Sequence, residues 1–237
     1  ATFRERYPDD PLVKDALLRT ADAAFYRGDF ADAAEQFESA LASEELGDAR
    51  EDTLYRLGVA RHNLKAFAES AAAFARLVDE YPDSEYAGEA HFRIAEYQLR
   101  EAGTAGEAIA SYEKAMAAGD DRFAARAREG MALALYESGK QEEAAASFTE
   151  MLRAKEGREL TAPILEWLGQ DLFDRAQYAD ARLAFEALAQ SDTAILERSL
   201  IHFKVGQSAA ALSDHEDAVA AFRAALDADP ADALKRD

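Results

Sequence analysis

The 237 residues include no cysteine. This absence excludes disulfide bonds, thiolate metal sites and a cysteine nucleophile within the sequence. No run of 18 apolar residues occurs either, so the sequence predicts no membrane-spanning helix. β-Branched residues are few and alanines are many, a mixture that favours closely packed helices over sheets.

Motifs of catalysis are also missing. The sequence has no HExxH pair, no glycine-rich phosphate loop and no nucleophile elbow. Its four histidines are scattered along the chain, and no two of them have the spacing of metal ligands. We therefore predict no enzymatic activity, no cofactor and no metal site. The histidines are His62, His91, His202 and His215.

Acidic residues outnumber basic ones by 47 to 27, which gives a formal charge of −20. Such a surface repels phosphate backbones and no local basic patch offsets the repulsion, so we predict no nucleic-acid partner. The acidity has two interpretations, attraction to a basic protein partner or simply a well-hydrated surface. The chain opens on ATFRERYPDDP and shows no signal peptide, which does not by itself establish a cytoplasmic location.

A repeat of about 37 residues organises the chain. Small residues recur at intervals of 37, 38, 36, 37 and 37 residues, and an aromatic residue follows each one four positions later. An earlier column of small residues contains glycine in three of six repeats. The three columns are Ala33, Ser70, Ala108, Ala144, Ala181 and Ala218; Phe37, Phe74, Tyr112, Phe148, Phe185 and Phe222; and Ala21, Gly58, Ala95, Ala132, Gly169 and Gly206.

The columns predict two helices in each repeat, called helix A and helix B, joined by short polar turns. Glycine inside a helix costs about 1 kcal/mol relative to alanine, so its recurrence in helix A indicates a close approach of helix B. Gly28 and Gly139 supply the left-handed residue that ends helix A. We expect a longer turn at residues 101–106, where the third repeat has one extra residue. Pro82 stops a helix, and Asp83 or Ser84 can cap the next one.

These columns resemble the tetratricopeptide repeat, whose marks are the small residues of both helices, the aromatic residue and a closing proline. Pro82 and Pro230 hold the closing position, and Pro8 fits it for a preceding repeat. The usual period of that family is about 34 residues, so the longer period predicts longer helices or connections. The resemblance implies an all-α fold, a right-handed α-solenoid of about six repeats forming a single domain over residues 1–237. The predicted repeats span residues 12–46, 50–83, 86–118, 122–156, 161–192 and 194–230. Residues 1–8 match the tail of a preceding repeat, so we expect the sequence to be a fragment of a longer chain.

In the family that this sequence resembles, A helices line a concave groove that generally holds a segment of a partner protein. An aromatic residue in such a groove can anchor a partner, or it can pack between adjacent A helices. Packing is the favoured interpretation for Phe25, Tyr136 and Phe173, from their spacing. The candidates for the groove and its rim are Tyr55, Arg56, Val59, His62, Phe92, Arg93, Glu96, Leu99, Glu129, Leu133, Glu166, Trp167, Gln170, Phe203 and Gln207.

Both interpretations stay open for Tyr55, Phe92 and Phe203. Some members of the family clamp a C-terminal carboxylate with lysines and asparagines in the groove. The comparable positions here hold Tyr55, Val59, Phe92 and Glu96, which offer a carboxylate no clamp. The resemblance therefore disfavours that co-chaperone activity.

A more specific resemblance lies in YPDSEYAGEAHFRIAEYQL, residues 81–99. This run is similar to the repeat junctions of periplasmic Tol–Pal-associated (TolA-binding) proteins and of BamD-like outer-membrane-assembly lipoproteins. The resemblance implies a periplasmic scaffold in the bacterial cell envelope that binds a protein or peptide. The alternatives are a cytosolic adaptor and a structural module that associates with itself through uncapped ends. The residues that carry the match are Tyr81, Pro82, Asp83, Ser84, Tyr86, Ala87 and Ala90.

Overall fold

Every regular element in the described part of the chain is an α-helix, so the predicted all-α solenoid of helical repeats is confirmed. The computed structural model describes residues 11–42, 46–154, 160–191 and 198–228, with the backbone alone for residues 11–14. Twelve helices lie in these residues, none of them both long and apolar enough to cross a membrane. They are α1 (Pro11–Arg27), α2 (Phe30–Leu41), α3 (Ala49–Asn63), α4 (Phe67–Glu80), α5 (Ala87–Arg100), α6 (Ala105–Ala117), α7 (Asp121–Glu137), α8 (Gln141–Ala154), α9 (Ala162–Asp174), α10 (Tyr178–Gln190), α11 (Arg198–Ala211) and α12 (His215–Ala228).

The helices group into two compact units. Unit 1 (Ala1–Ser138) contains α1 to α7, and unit 2 (Gly139–Asp237) contains α8 to α12. Odd-numbered helices are the A helices of the predicted repeats and even-numbered helices are the B helices. The single domain over residues 1–237 and its repeat limits stay predictions, and the predictions for residues 1–8 and Pro230 lie outside the described residues.

The glycine column of the A helices faces the aromatic column of the B helices. A Cβ atom on Gly58 would lie 2.7 Å from the ring of Phe74, and one on Gly169 would lie 2.6 Å from the ring of Phe185. The Ser70 hydroxyl also donates to the carbonyl of Gly58 at 2.8 Å. The predicted close approach is therefore confirmed, and the group that requires the missing side chain is an aromatic ring.

The turn from helix A to helix B holds one residue in the left-handed region. Gly28 has a φ of 83° and Gly139 a φ of 79°, as the sequence predicts. The same repeat position is occupied by Lys65, Ala176 and Ser213, with φ values of 61°, 59° and 63°. Left-handed backbone costs a non-glycine residue about 1–2 kcal/mol, so the hairpins hold this geometry even where the sequence opposes it.

The junction around Pro82 differs in part from its prediction. α4 ends two residues before this proline, as expected. Neither Asp83 nor Ser84 caps α5, because the N-cap residue is Tyr86 and it makes no side-chain cap. The Ser84 hydroxyl instead accepts a hydrogen bond from the Tyr86 N–H at 3.1 Å and so stabilises the turn before the helix. The third repeat does have a longer turn, but it spans residues 101–104, because residues 105 and 106 of the predicted turn begin α6.

Each B helix begins with an acidic residue at its third position. A carboxylate there lies near the positive end of the helix dipole and contributes about 0.3–1 kcal/mol. The column recurs at the repeat spacing, so part of the acidity of this chain has a structural cause. Its members are Asp32, Glu69, Glu107, Glu143, Asp180 and Asp217.

Candidate functional site

Most of the predicted groove residues lie on the A helices of unit 1. Polar contacts join neighbouring helices of this group. Tyr55 of α3 stacks on Tyr86, directly before α5, with ring centroids 3.9 Å apart. The Tyr55 hydroxyl donates to Glu89 of α5 at 2.8 Å, and the Tyr86 hydroxyl donates to Asp52 of α3 at 3.3 Å. Burial and the hydrogen bond to Glu89 raise the pKa of Tyr55, so this phenol stays protonated at neutral pH.

Arg56 connects α1 and α3. Its guanidinium pairs with Asp22 of α1 and, at 2.7 Å, with Asp52 of α3. The same group lies over the ring of Tyr26, 5.8 Å from the centroid. Arg56, a candidate for the rim of the groove, therefore stabilises contacts within its own chain.

Arg93 is the centre of the contacts on α5. It pairs with Glu96 at 3.0 Å and with Glu89 at 3.3 Å, and its Nη1 lies 3.2 Å from Nε2 of His62 on α3. Glu96 also pairs with Arg126 of α7 at 3.3 Å. We call the connected side chains the A-face network. Its members are Asp22, Asp52, Tyr55, Arg56, His62, Tyr86, Glu89, Arg93, Glu96 and Arg126.

His62 is the titratable member of this network closest to physiological pH. Burial and the positive charge of Arg93 lower the pKa of His62, so the imidazole is neutral at pH 7. Its ring packs edge-on against Phe67, with centroids 5.4 Å apart. Protonation of His62 would place a second positive charge beside Arg93 and would weaken the network.

A fixed offset relates several of these partners. The paired residues are 34 positions apart in the sequence, whereas the repeat is about 37 residues long. The difference of about three residues is close to one turn of an α-helix. Each side chain therefore reaches the adjacent A helix one turn away from its own equivalent position. A search of the sequence for opposite charges at this offset would have found Asp22, which the groove prediction missed. The pairs are Asp22–Arg56, Asp52–Tyr86, Tyr55–Glu89 and, in unit 2, Gln170–Lys204.

Phe92 is buried, and the interpretation of it as a partner's anchor is wrong. Its side chain is 2% exposed and packs against Tyr112 of α6 and Phe123 of α7, with centroids 6.0 and 5.2 Å away. Arg126 lies over the Phe92 ring at 4.6 Å. Because Phe123 of the next A helix covers this ring, Phe92 packs between adjacent A helices and offers no surface to a partner.

Two further candidates of unit 1 are half-buried. Val59 packs at the edge of the hydrophobic core of this unit. Glu129 of α7 forms no ion pair or hydrogen bond with any residue that the structure describes. Glu129 is therefore the predicted groove carboxylate that is available to a partner in unit 1.

The candidates on α9 in unit 2 make contacts within that unit. Trp167 meets Phe148 of α8 edge-on, with ring centroids 6.3 Å apart. Gln170 accepts a hydrogen bond from Lys204 of α11 at 2.9 Å and donates one to Asp174 at 2.7 Å. These contacts are sparser and less charged than the A-face network of unit 1.

Phe203 of α11 is the most exposed aromatic residue among the candidates. Its side chain is 44% exposed, and its ring lies 5.5 Å from that of Phe222 on α12. Gln207, one turn further along α11, is half-buried. Unit 2 therefore presents an apolar candidate where unit 1 presents ion pairs.

The histidines do not assemble a metal site in the described residues. No group of three or more histidine, aspartate or glutamate side chains there is placed to hold a metal ion. His91 is half-buried on α5, where burial and the charge of Lys114 lower the pKa of its imidazole. His62 and His91 stand in different predicted repeats, and His202 and His215 stand on the two different helices of the last one.

Charge is distributed unequally between the two kinds of helix. The six A helices contain 13 basic and 12 acidic residues, whereas the six B helices contain 5 and 16. The carboxylates at the third position account for six of the acidic residues in the B helices. The negative potential of the described helices therefore comes almost entirely from the B helices.

The profile of a protein family described as tetratricopeptide repeat matches residues 18–85, 98–159 and 168–233. Among solved structures, the TPR2AB domain of yeast Sti1 is 14% identical with a TM-score of 0.50, covering 93% of this chain and 79% of that one. PilW, a type IV pilus biogenesis factor, is 20% identical with a TM-score of 0.47, covering 93% and 94%. A tetratricopeptide repeat protein from Parabacteroides merdae is 17% identical with a TM-score of 0.48, covering 98% and 86%. No curated protein sequence matches the chain.

These similarities confirm the resemblance to the repeat family and the fold that it implies. Identities this low show the fold alone. The narrower resemblance to Tol–Pal-associated and BamD-like proteins gains no specific support from them and stays a hypothesis.

Proposed function

Since the chain belongs to the tetratricopeptide repeat family, we propose that it is a non-catalytic scaffold that binds a protein or peptide partner. Proteins built from these repeats generally mediate protein–protein interactions. The Sti1 domain, which is similar in fold, is described in complex with pHSP90. The proposal for this chain is that a partner segment lies along the A helices of unit 1.

The A-face network is the observation that carries this proposal. Its charged groups and phenols are held by partners on neighbouring helices, so binding costs little of their rotamer entropy. Ordering a free side chain of this kind costs about 0.5–1.5 kcal/mol, which a preorganised surface avoids. Carboxylates, guanidiniums and hydroxyls that are held in place offer hydrogen bonds to the backbone amides of an extended peptide. Glu129 adds an available carboxylate on the same helices.

The acidic B helices favour a second docking surface. Glu35, Glu107 and Glu113 are exposed and form no ion pair with any described residue. Such carboxylates would attract a basic partner. This attraction would increase the association rate and the specificity of binding more than the affinity. This surface would bind a folded basic protein, whereas the A helices would bind an extended segment.

Matched charge reversals separate the two surfaces. Glu129→Lys changes the A helices and Glu113→Lys changes a B helix, and neither residue has an ion-pair partner in the described chain. Wild type and both variants would be immobilised at equal density and exposed to fractionated lysate of the source cells. Mass spectrometry would then compare the proteins that each retains, and circular dichroism would check that the variants fold alike.

We expect Glu129→Lys to lose specific partners that Glu113→Lys retains. The reverse result would favour the acidic B helices as the binding surface. Equal retention by all three proteins, or no specific partner for the wild type, would argue against binding through either surface.

For the location we propose the bacterial cell envelope, on the resemblance of residues 81–99 to envelope repeat junctions. Antibody detection in periplasmic and cytosolic fractions of the source cells tests this proposal. Recovery with periplasmic marker proteins would support it, whereas recovery with cytosolic markers would favour the alternative of a cytosolic adaptor.

A further inference from the structure

Two residues that contact each other in unit 1 depart from the repeat pattern. The aromatic column of the B helices holds phenylalanine in five repeats and tyrosine only at Tyr112 of α6. A further column of the A helices holds arginine, lysine or tryptophan in five repeats and glycine only at Gly130 of α7. A Cβ atom on Gly130 would lie 2.6 Å from Cε1 of Tyr112 and closer still to its hydroxyl oxygen. The glycine therefore makes room for the hydroxyl. The column of the A helices is Arg19, Arg56, Arg93, Gly130, Trp167 and Lys204.

The Tyr112 hydroxyl has no hydrogen-bond partner among the residues that the structure describes. Its side chain is 2% exposed, and its ring lies 6.0 Å from that of Phe92 on α5. In the described chain, the fully enclosed side-chain atoms that lack a partner are Arg61 Nε and Asp171 Oδ2, so solvent reaches the Tyr112 oxygen. Burial raises the pKa of Tyr112, so its hydroxyl keeps the proton at neutral pH. Because a buried polar group normally has a partner, this hydroxyl indicates a ligand that supplies one.

Gly130 also removes a cation that the repeat pattern supplies. At the offset of 34 residues, Arg56 of this column pairs with Asp22 on the preceding A helix. The residue 34 positions before Gly130 is Glu96 of α5. The helix α7 therefore gives Glu96 no cation from this column, and no side chain from position 130 fills the space beside the Tyr112 hydroxyl.

Two carboxylates lie near this hydroxyl. Glu129, directly before Gly130 on α7, is half-buried and forms no ion pair or hydrogen bond with any described residue. Besides burial, the negative charges of Glu96 and Glu129 raise the pKa of Tyr112, so both carboxylates act on the phenol. We call Glu96, Tyr112, Glu129 and Gly130 the α5–α7 site.

The basic side chains near the site already have partners. Arg126 of α7 pairs with Glu96 at 3.3 Å. Arg100 of α5 lies over the ring of Phe67, 4.4 Å from its centroid. The charge that remains without a partner in the described chain is therefore the negative charge of Glu129. This charge favours a cationic ligand over an anionic one.

We propose that the α5–α7 site binds the ammonium group of a lysine side chain in the partner segment. The inference rests on the proposed function, because it names a side chain that the segment presents to the A helices of unit 1. An ammonium group has three N–H donors, and the site offers three acceptors in the Tyr112 oxygen and the carboxylates of Glu96 and Glu129. The lysine of the partner takes the place of the cation that this column supplies in other repeats. The formal charge of −20 attracts such a basic segment.

Blocked pentapeptides that differ in one side chain test the inference. Each has an acetylated N-terminus, an amidated C-terminus and four alanines around a central lysine, norleucine, arginine or glutamate. Norleucine lacks the ammonium group of lysine but keeps its hydrocarbon chain, so it is the matched control. Each peptide is titrated at low salt into the whole protein, and the amide NMR signals of α5 and α7 measure the binding.

Four variants examine the site itself. Tyr112→Phe removes only the hydroxyl, and Glu129→Gln removes only one charge. Glu113→Gln makes the same change on an exposed carboxylate of α6 and serves as the control. Tyr112→Phe with Gly130→Arg restores the residue types of the other repeats, so the new guanidinium should occupy the site. Circular dichroism checks the folding of each variant, and the two single changes at the site decide the result if the double variant does not fold.

The lysine peptide should bind the wild type about tenfold more tightly than the norleucine peptide does. Tyr112→Phe and Glu129→Gln should each weaken binding of the lysine peptide by about fivefold to tenfold, because each removes one hydrogen bond to a charged group. Glu113→Gln should leave it unchanged. The double variant should not bind the lysine peptide.

Several results would overturn the inference. They are no binding of the lysine peptide, equal binding of the norleucine peptide, and unchanged binding by Tyr112→Phe. Tighter binding of the arginine or the glutamate peptide would assign the site to a guanidinium or to an acidic side chain instead.

Capture from lysate separates a failure of this site from a failure of the proposed function. Partners that the wild type and Tyr112→Phe retain equally, without binding of the lysine peptide, would leave the scaffold function standing and remove the lysine site. Binding of the lysine peptide without any captured partner would support the site and count against the scaffold function.

Discussion

The second repeat and the last described repeat contain the same internal contact in different surroundings. A Cβ on Gly58 would lie 2.7 Å from the ring of Phe74, and one on Gly206 would lie 2.6 Å from the ring of Phe222. The contact between helix A and helix B is therefore the same in both hairpins. Phe74 is fully buried, however, whereas Phe222 is only half-buried.

The difference shows which part of the packing belongs to one hairpin and which to its neighbour. The glycine and the aromatic ring are supplied within each hairpin, so this contact forms wherever both residues occur. Burial of the outer side of the ring requires the next A helix, as in stacked repeats generally. The stability of each repeat therefore has two separate contributions. One is the contact between its own two helices, and the other is its packing against the next repeat.

The largest expected effect comes from overpacking the shared contact. Gly58→Leu forces a side chain into the space of the Phe74 ring, which is enclosed on every side. We expect a loss of about 3 kcal/mol at Gly58 and of about 1 kcal/mol at Gly206, because the half-exposed ring of Phe222 can move towards solvent. Hydrogen exchange of amides in α3 and α4, compared with α11 and α12, measures both losses locally.

A compensating substitution sharpens this prediction. In Gly58→Leu with Phe74→Ala, the new leucine partly fills the cavity that the alanine leaves. The double variant should therefore lose less stability than the two single losses added together.

Equal losses of stability for the single variants Gly58→Leu and Gly206→Leu would contradict the first prediction. They would show that cover by the next repeat does not confine the aromatic ring.

A smaller effect is expected from the polar contacts of the two units. Arg93 pairs with Glu89 and Glu96 in a partly buried setting, and removing it takes one charged partner from each carboxylate, which leaves Glu89 with the Tyr55 hydroxyl and Glu96 with Arg126. We expect Arg93→Ala to lower the free energy of unfolding by about 1–2 kcal/mol. Lys204 bonds the neutral Gln170, so Lys204→Ala should cost less than about 0.5 kcal/mol.

Urea denaturation in low and high salt distinguishes the two residues. The loss at Arg93 should persist in high salt, because partly buried pairs are screened less than exposed ones. Similar losses at both residues would mean that the A-face network adds no stability beyond ordinary surface contacts.

The repeat and the close contact between its two helices follow from the sequence because they depend on spacing alone. The small and aromatic columns predict helices A and B, and the glycines of helix A predict the close approach later seen at Gly58. The environment of Phe92 could not be predicted in the same way. The residue that covers it, Phe123, lies 31 residues later in the sequence, on the next A helix. Asp22 was missed as a partner of Arg56 for a related reason. Their offset combines the repeat length with one helical turn, and neither period shows it alone.

The smallest expected effect is a pH dependence that the A-face network adds to stability. The folded state lowers the pKa of His62 below its usual value of about 6.5, so the unfolded chain binds the proton more tightly. Stability must then rise with pH across this range and fall as the solution is acidified from pH 7 to pH 5. His62→Gln removes this contribution, so its urea midpoint should fall less over that interval than the wild-type midpoint.

Arg93→Ala supplies the control, because it removes the charge that lowers the pKa of His62 while leaving the imidazole partly buried. The fall in its midpoint between pH 7 and pH 5 should lie between those of the wild type and His62→Gln. An equal fall in all three proteins would show that His62 adds nothing to the acid sensitivity, which would then come from carboxylates elsewhere. A steeper fall in Arg93→Ala than in the wild type would reverse the sign assigned to the Arg93 charge.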